Sequence, residues 1–123
     1  MWTILMVTPD REAWAPAAAA LEADGRCRIA WAAGFDAALE AVRRDRPALV
    51  IVDGEVEGRD GLELCRTILM VDAFAQQALA TEMDEETFHE ASEGLGLLGR
   101  LPRPPAADDA RRMLARLAEV SGG

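Results

Sequence analysis

Asp53, Thr81 and Arg103 each follow a run of strand-like residues, and together they offer a carboxylate, a hydroxyl and a fixed positive charge. That set suits transfer of a phosphoryl group to a carboxylate: Asp53 as nucleophile, Thr81 bonding a phosphate oxygen, Arg103 neutralising charge. Singly, each has a bland explanation: an exposed strand-end acid, a helix-capping Thr, a solvated Arg. The weight therefore falls on whether the fold delivers the three to one place.

The elements that would do so are legible as apolar runs alternating with stretches of helical period, the signature of a parallel sheet covered by helices. The first run is Ile4 to Val7, followed by Thr8-Pro9-Asp10, which supplies capping and first-turn residues for a helix ending at Gly25. Pro16 should kink that helix or delay its start to near Trp14. Arg28 to Trp31 alternates polar with apolar and predicts a strand near a sheet edge. Asp36 then caps a helix over Ala37 to Arg46, which Pro47 ends.

The third strand is the clearest. Ala48 to Val52 is continuously apolar, as a central strand covered on both faces should be, and it runs straight into Asp53. A polar loop from Gly54 to Arg59 leads to Asp60-Gly61 and a third helix. A weak fourth strand is expected at Ala78 to Thr81, a helix at Glu85 to Glu93, a fifth strand at Leu97 to Leu101, and a last helix from Asp108 or Asp109 through Val120. The expected fold is α/β: five strand-helix pairs, (βα)5, in a doubly wound five-stranded parallel sheet. Reacting groups in such a sheet gather at the C-terminal strand ends.

At 123 residues the chain suits one domain, 1–123, and no additional output domain fits in that length. Half its residues are hydrophobic, enough for a proper core. A net charge of -9 and a pI near 4.5 argue against nucleic acid and anionic membrane as partners. Cys27 and Cys65 lack metal or redox spacing and read as reduced thiols. The opening residues lack a signal-peptide pattern, which gives an expected cytoplasmic location. His89, mid-helix among acids, reads as inert, and Trp2, Trp14 and Trp31 read as core and edge packing.

Leu49-Val50-Ile51-Val52-Asp53, followed by Asp60-Gly61-Leu62-Glu63-Leu64-Cys65-Arg66, resembles the receiver domains of response regulators, the CheY-like superfamily whose architecture is shared by flavodoxin-like proteins. A second stretch, Gly96 to Pro105, is similar to that family's G-A-x-G-Y-L-x-K-P segment, with Arg103 in the lysine position before a proline whose peptide bond is commonly cis. The resemblance covers nearly the whole chain. It implies that Asp53 is a phosphoacceptor, that Thr81 is the switch hydroxyl, and that Arg100 stands where an aromatic residue reports activation.

The resemblance also implies a sensor histidine kinase or phosphotransfer protein as donor and a downstream protein as target. The contact face would be the fourth helix, fifth strand and fifth helix, including Arg100 and Ala106 to Val120. A homodimer is left open, and the chain is not read as an enzyme. Receivers hold Mg²⁺ with a pair of acids in the first loop; this sequence has Thr8-Pro9 there, with Asp10 one position late. Asp53, Asp10 and Glu55 are then the candidate Mg²⁺ ligands, forming a degraded site. Two further readings stand beside the phosphoacceptor: a phosphorylation-independent adaptor, and a flavodoxin-like cofactor binder. The latter is disfavoured because Thr8-Pro9-Asp10-Arg11 lacks a glycine-rich or hydroxyl-rich phosphate cradle.

Overall fold

The computed structural model describes residues 1–121. Strands β1 (Trp2–Val7), β2 (Cys27–Ala32), β3 (Leu49–Asp53), β6 (Gln76–Ala80) and β7 (Gly99–Leu101) form one sheet in the order β2-β1-β3-β6-β7, every pair parallel. The chain leaves β1 for one edge, returns past it to β3 and continues to the other edge. The winding therefore reverses between β1 and β3, where a crevice opens at the C-terminal strand ends.

Alternation along each strand divides the core into two layers. Leu49 and Ile51 pack with Trp14, Leu21, Met113 and Leu117 beneath α1 (Arg11–Ala23) and α5 (Ala107–Val120). Val50 and Val52 pack with Val42, Cys65, Ile68 and Phe88 beneath α2 (Phe35–Asp45), α3 (Gly61–Val71) and α4 (Glu85–Ala91). All five residues of β3 are buried, as its unbroken apolar run requires. Ala17, Ala18 and Ala20 are buried in α1, their small side chains placing that helix close to the sheet and to α5.

Several boundaries differ from the sequence reading. Helix α1 runs through Pro16 from Arg11; the proline is exposed, and so is Glu12, whose carbonyl it leaves without an intrahelical donor. Helix α2 begins at Phe35 with Gly34 as N-cap, so Asp36 lies inside the first turn. Helix α4 stops at Ala91, where the Ser92 hydroxyl donates to the Phe88 carbonyl at 2.7 Å. Helix α5 starts at Ala107; Asp109 does not begin it but reaches back to accept from the Ala106 N–H at 2.9 Å.

The expected loop at 54–59 contains a small antiparallel hairpin, β4 (Glu55–Val56) and β5 (Arg59–Asp60). Its two turn residues, Glu57 at φ 55° and Gly58 at φ 72°, both adopt the left-handed conformation that suits a two-residue hairpin. Glu57 accepts that strained backbone while its Oε1 takes the Phe35 N–H at 2.7 Å, capping α2 from 22 residues away.

Candidate functional site

The reversal point of the sheet holds Asp53. Its backbone ends β3 in register with Ala80 of β6, and its side chain is 4% exposed. A buried carboxylate needs partners for its charge and lone pairs, and two arrive from separate loops. Thr8, immediately after β1 and itself buried, donates its hydroxyl to Asp53 Oδ2 at 2.7 Å. Arg103, beyond β7, donates Nε to Asp53 Oδ1 at 2.5 Å. The bond to Asp53, opposed by desolvation and reinforced by the charges of Asp53, Glu55 and Glu82, raises the Arg103 guanidinium above its ordinary pKa.

Local geometry keeps this arrangement in place. The Thr8 hydroxyl oxygen accepts from the Asp10 N–H at 3.0 Å, which leaves its own hydrogen directed to Asp53. The Arg103-Pro104 peptide is cis, as the family segment led us to expect. Gly61 donates its N–H to the Gly54 carbonyl at 2.8 Å, and a Cβ on Gly61 would lie 2.1 Å from the Asp53 carbonyl oxygen. The Asp-Gly pair at 60–61 is thus explained twice: Asp60 Oδ1 caps α3 through the Leu62 N–H at 2.9 Å, and only glycine fits against Asp53. A shallow cleft of about 250 Å³ opens over the centre, lined by Pro9, Asp10, Trp14, Asp53, Glu82 and Arg103.

Of the residues singled out from sequence, Asp53 and Arg103 are in direct contact. Thr81 follows β6 on the neighbouring strand; its N–H bonds the Leu101 carbonyl at 2.9 Å, and its hydroxyl oxygen accepts from the Met83 N–H at 3.1 Å. That bond uses an acceptor lone pair and leaves the hydroxyl hydrogen free to donate. The alcohol bonded to Asp53 is Thr8, which the sequence suggests as a helix cap standing where a metal-binding acid is missing; the cap of α1 is Asp10 instead. The signal for Thr8 was its position, one residue past a central strand.

Asp10 and Glu55, read as candidate Mg²⁺ ligands, do not assemble a metal site with Asp53. Asp10 Oδ1 accepts from the Ala13 N–H at 3.3 Å as N-cap of α1, and Glu55 is an exposed residue of β4. Among the described residues no three His, Cys, Asp or Glu side chains are placed to hold a metal ion. Mg²⁺ requires octahedral oxygen ligation, and where an acid would add a ligand this site has a hydroxyl that already donates to Asp53. The residues present do not fit the cation.

Arg100 lies away from Asp53. Its Nε is 3.3 Å from Glu85 Oε1, which also faces His89 Nε2 at 3.5 Å from Oε2, tying β7 to α4. Trp14 is in the core, while Trp31 and Trp2 carry Arg11 and Arg26 over their rings. Cys27 and Cys65 are free and buried. Among the described residues no helix is long and apolar enough to cross a membrane.

No family model matches the sequence. Over 74 residues, 60% of this chain and 60% of the relative, it is 30% identical to sporulation initiation phosphotransferase F of Bacillus subtilis (strain 168), so the match spans less than two thirds of that protein. Among solved structures, a two-component response regulator from Clostridium difficile superposes with a TM-score of 0.86 at 17% identity, covering 100% of both chains. Chemotaxis response regulator CheY4 of Vibrio cholerae gives 0.82 at 19% identity, over 95% of this chain and 98% of that one. The REC domain of AraT, a response regulator from Geobacillus stearothermophilus, gives 0.84 at 20%, over 98% and 95%.

Proposed function

We propose, from the premise that this chain has the CheY-like fold of response-regulator receiver domains, that it is a signalling unit of a two-component phosphorelay with Asp53 as its phosphoacceptor. The observation that carries this is the buried Asp53 carboxylate, set at the winding reversal and bonded to Arg103. In the step itself one Asp53 oxygen forms a bond to phosphorus as the P–N bond of a donor phosphohistidine breaks, and the departing imidazole takes a proton from solvent. Arg103, bonded to Asp53, would follow the charge onto the phosphoryl oxygens, and Thr81, whose hydroxyl oxygen accepts from Met83, would donate its hydrogen to one of them. Asp53 is modified once per signal, so the chain acts as a switch and not as a turnover enzyme.

The donor would be a sensor histidine kinase or phosphotransfer protein, and the output would pass to a protein target. A groove of about 310 Å³ between α4, β7 and α5, lined by Glu85, Phe88, His89, Arg100 and Arg116, is where such a target would sit. Incubation with a phosphorylated histidine phosphotransfer protein tests the reading. Label should move to the chain and fail to move to Asp53→Asn.

The phosphorylation-independent adaptor is favoured by one observation: both Asp53 oxygens already accept a hydrogen bond, from Arg103 and from Thr8, and these bonds stabilise the carboxylate charge that an attack on phosphorus would use. Under that reading Asp53→Asn leaves partner capture unchanged.

A further inference from the structure

We infer that Thr8 and Arg103 together replace a divalent cation, so that the Asp53 centre is charge-balanced and oriented without any metal. The inference rests on Asp53 being the centre of the site, but it does not require that phosphoryl transfer take place. A bound divalent ion would perform two tasks at such a carboxylate, neutralising its charge and fixing the direction of its oxygens. Here the two tasks fall to different residues. Arg103 brings a permanent positive charge to Oδ1 at 2.5 Å, and Thr8 fixes Oδ2 at 2.7 Å.

The arrangement is braced from outside. Thr8 is 2% exposed and is held by the Asp10 N–H, so its hydroxyl has one direction in which to donate. Of the acids near the centre, Asp10 caps α1 and Glu55 is exposed on β4, and among the described residues no three acids are grouped to hold a metal ion. A dication approaching Oδ1 would meet the guanidinium at close range, and their repulsion opposes its entry. Arginine suits this post better than lysine, because its planar head stays charged and can keep Nε on the carboxylate while other N–H groups face the cleft.

Thermal unfolding with MgCl2, against NaCl at matched ionic strength, tests the inference on the intact chain. The wild type should shift by less than about 1 °C, whereas a site filled at ten times its Kd would raise Tm by roughly 5 °C. A Mg²⁺-specific rise of that size, lost in Asp53→Asn, overturns the inference. Thr8→Asp combined with Arg103→Gln, which exchanges the donor for a second carboxylate and removes the opposing guanidinium, should acquire the Mg²⁺ response. If that double variant folds only when Mg²⁺ is added, that too supports the assignment; a double variant as indifferent to Mg²⁺ as the wild type contradicts it. Neither arm reads phosphorylation, so failure of phosphotransfer to Asp53 would leave this result standing.

Discussion

Gly61 lies so close to Asp53 that the aspartate's carbonyl oxygen fills the space where a side chain would begin, 2.1 Å from an ideal Cβ. The same Cβ would stand 3.0 Å from the Asp53 carbonyl carbon and 3.2 Å from that of Gly54. All three are backbone atoms, so no rotamer change relieves the contact. Gly61→Ala should therefore lower stability by about 2–3 kcal/mol in urea unfolding, because the β3 terminus must move to admit a methyl group. A loss below about 0.5 kcal/mol would mean that the strand end is free to shift.

The Thr8 hydroxyl bond predicts a coupling. Thr8→Val leaves Asp53 Oδ2 buried without its donor and should cost about 1–3 kcal/mol. In an Asp53→Ala background the orphaned oxygen no longer exists, so the cost should shrink, giving a coupling of about 1 kcal/mol or more in a double-mutant cycle. Additive effects would show that the contact contributes nothing.

Glu57 sets loop strain against a distant cap. Glu57→Ala loses the bond to the Phe35 N–H and keeps the left-handed backbone, so about 1–2 kcal/mol should be lost. Glu57→Gly loses the same bond but relieves the backbone and should cost less. Denaturation midpoints that place Gly below Ala would contradict this ordering.

Alkaline stability should depend on Cys65. All 13 basic Lys or Arg positions are arginine and there is no tyrosine, so above the range of the amino terminus the thiols are the only groups left to titrate below the arginines. Burial, aided by the Asp60 charge, pushes the Cys65 thiol from 9.0 up to about 12, and burial raises Cys27 as well. The native state thus keeps a proton that the unfolded chain releases. Stability contributed by Cys65 is fully present below pH 9 and is lost as pH rises towards 12, at about 1.4 kcal/mol per pH unit. Urea midpoints measured across this range should fall less steeply in Cys65→Ala, which retains only the Cys27 contribution. An unchanged slope would contradict the assignment.

The sheet was legible because β3 announces itself: five buried residues in an unbroken apolar run ending in an acid allow few other readings. That Asp53 and Arg103 share one rim was legible because both follow parallel strands; their direct bond was not, since β7 lies two strands from β3. What escaped was long-range polar pairing. Nothing near Phe35 shows that Glu57 caps its helix, and nothing near Thr8 shows that its hydroxyl serves Asp53 45 residues away. The hairpin at 55–60 was hidden because two-residue strands have no periodicity and its turn places a glutamate where glycine or asparagine is the usual choice.

The central claim is that Asp53 carries the phosphoryl group, and reductive trapping reads it at a single residue. Borohydride converts an aspartyl phosphate to homoserine, so the chain is exposed to a phosphorylated donor protein, reduced, digested and sequenced by mass spectrometry. The account predicts homoserine at position 53 in donor-treated protein only. Unreduced aspartate at 53 after full donor turnover, or phosphate found on another side chain such as His89, would contradict it.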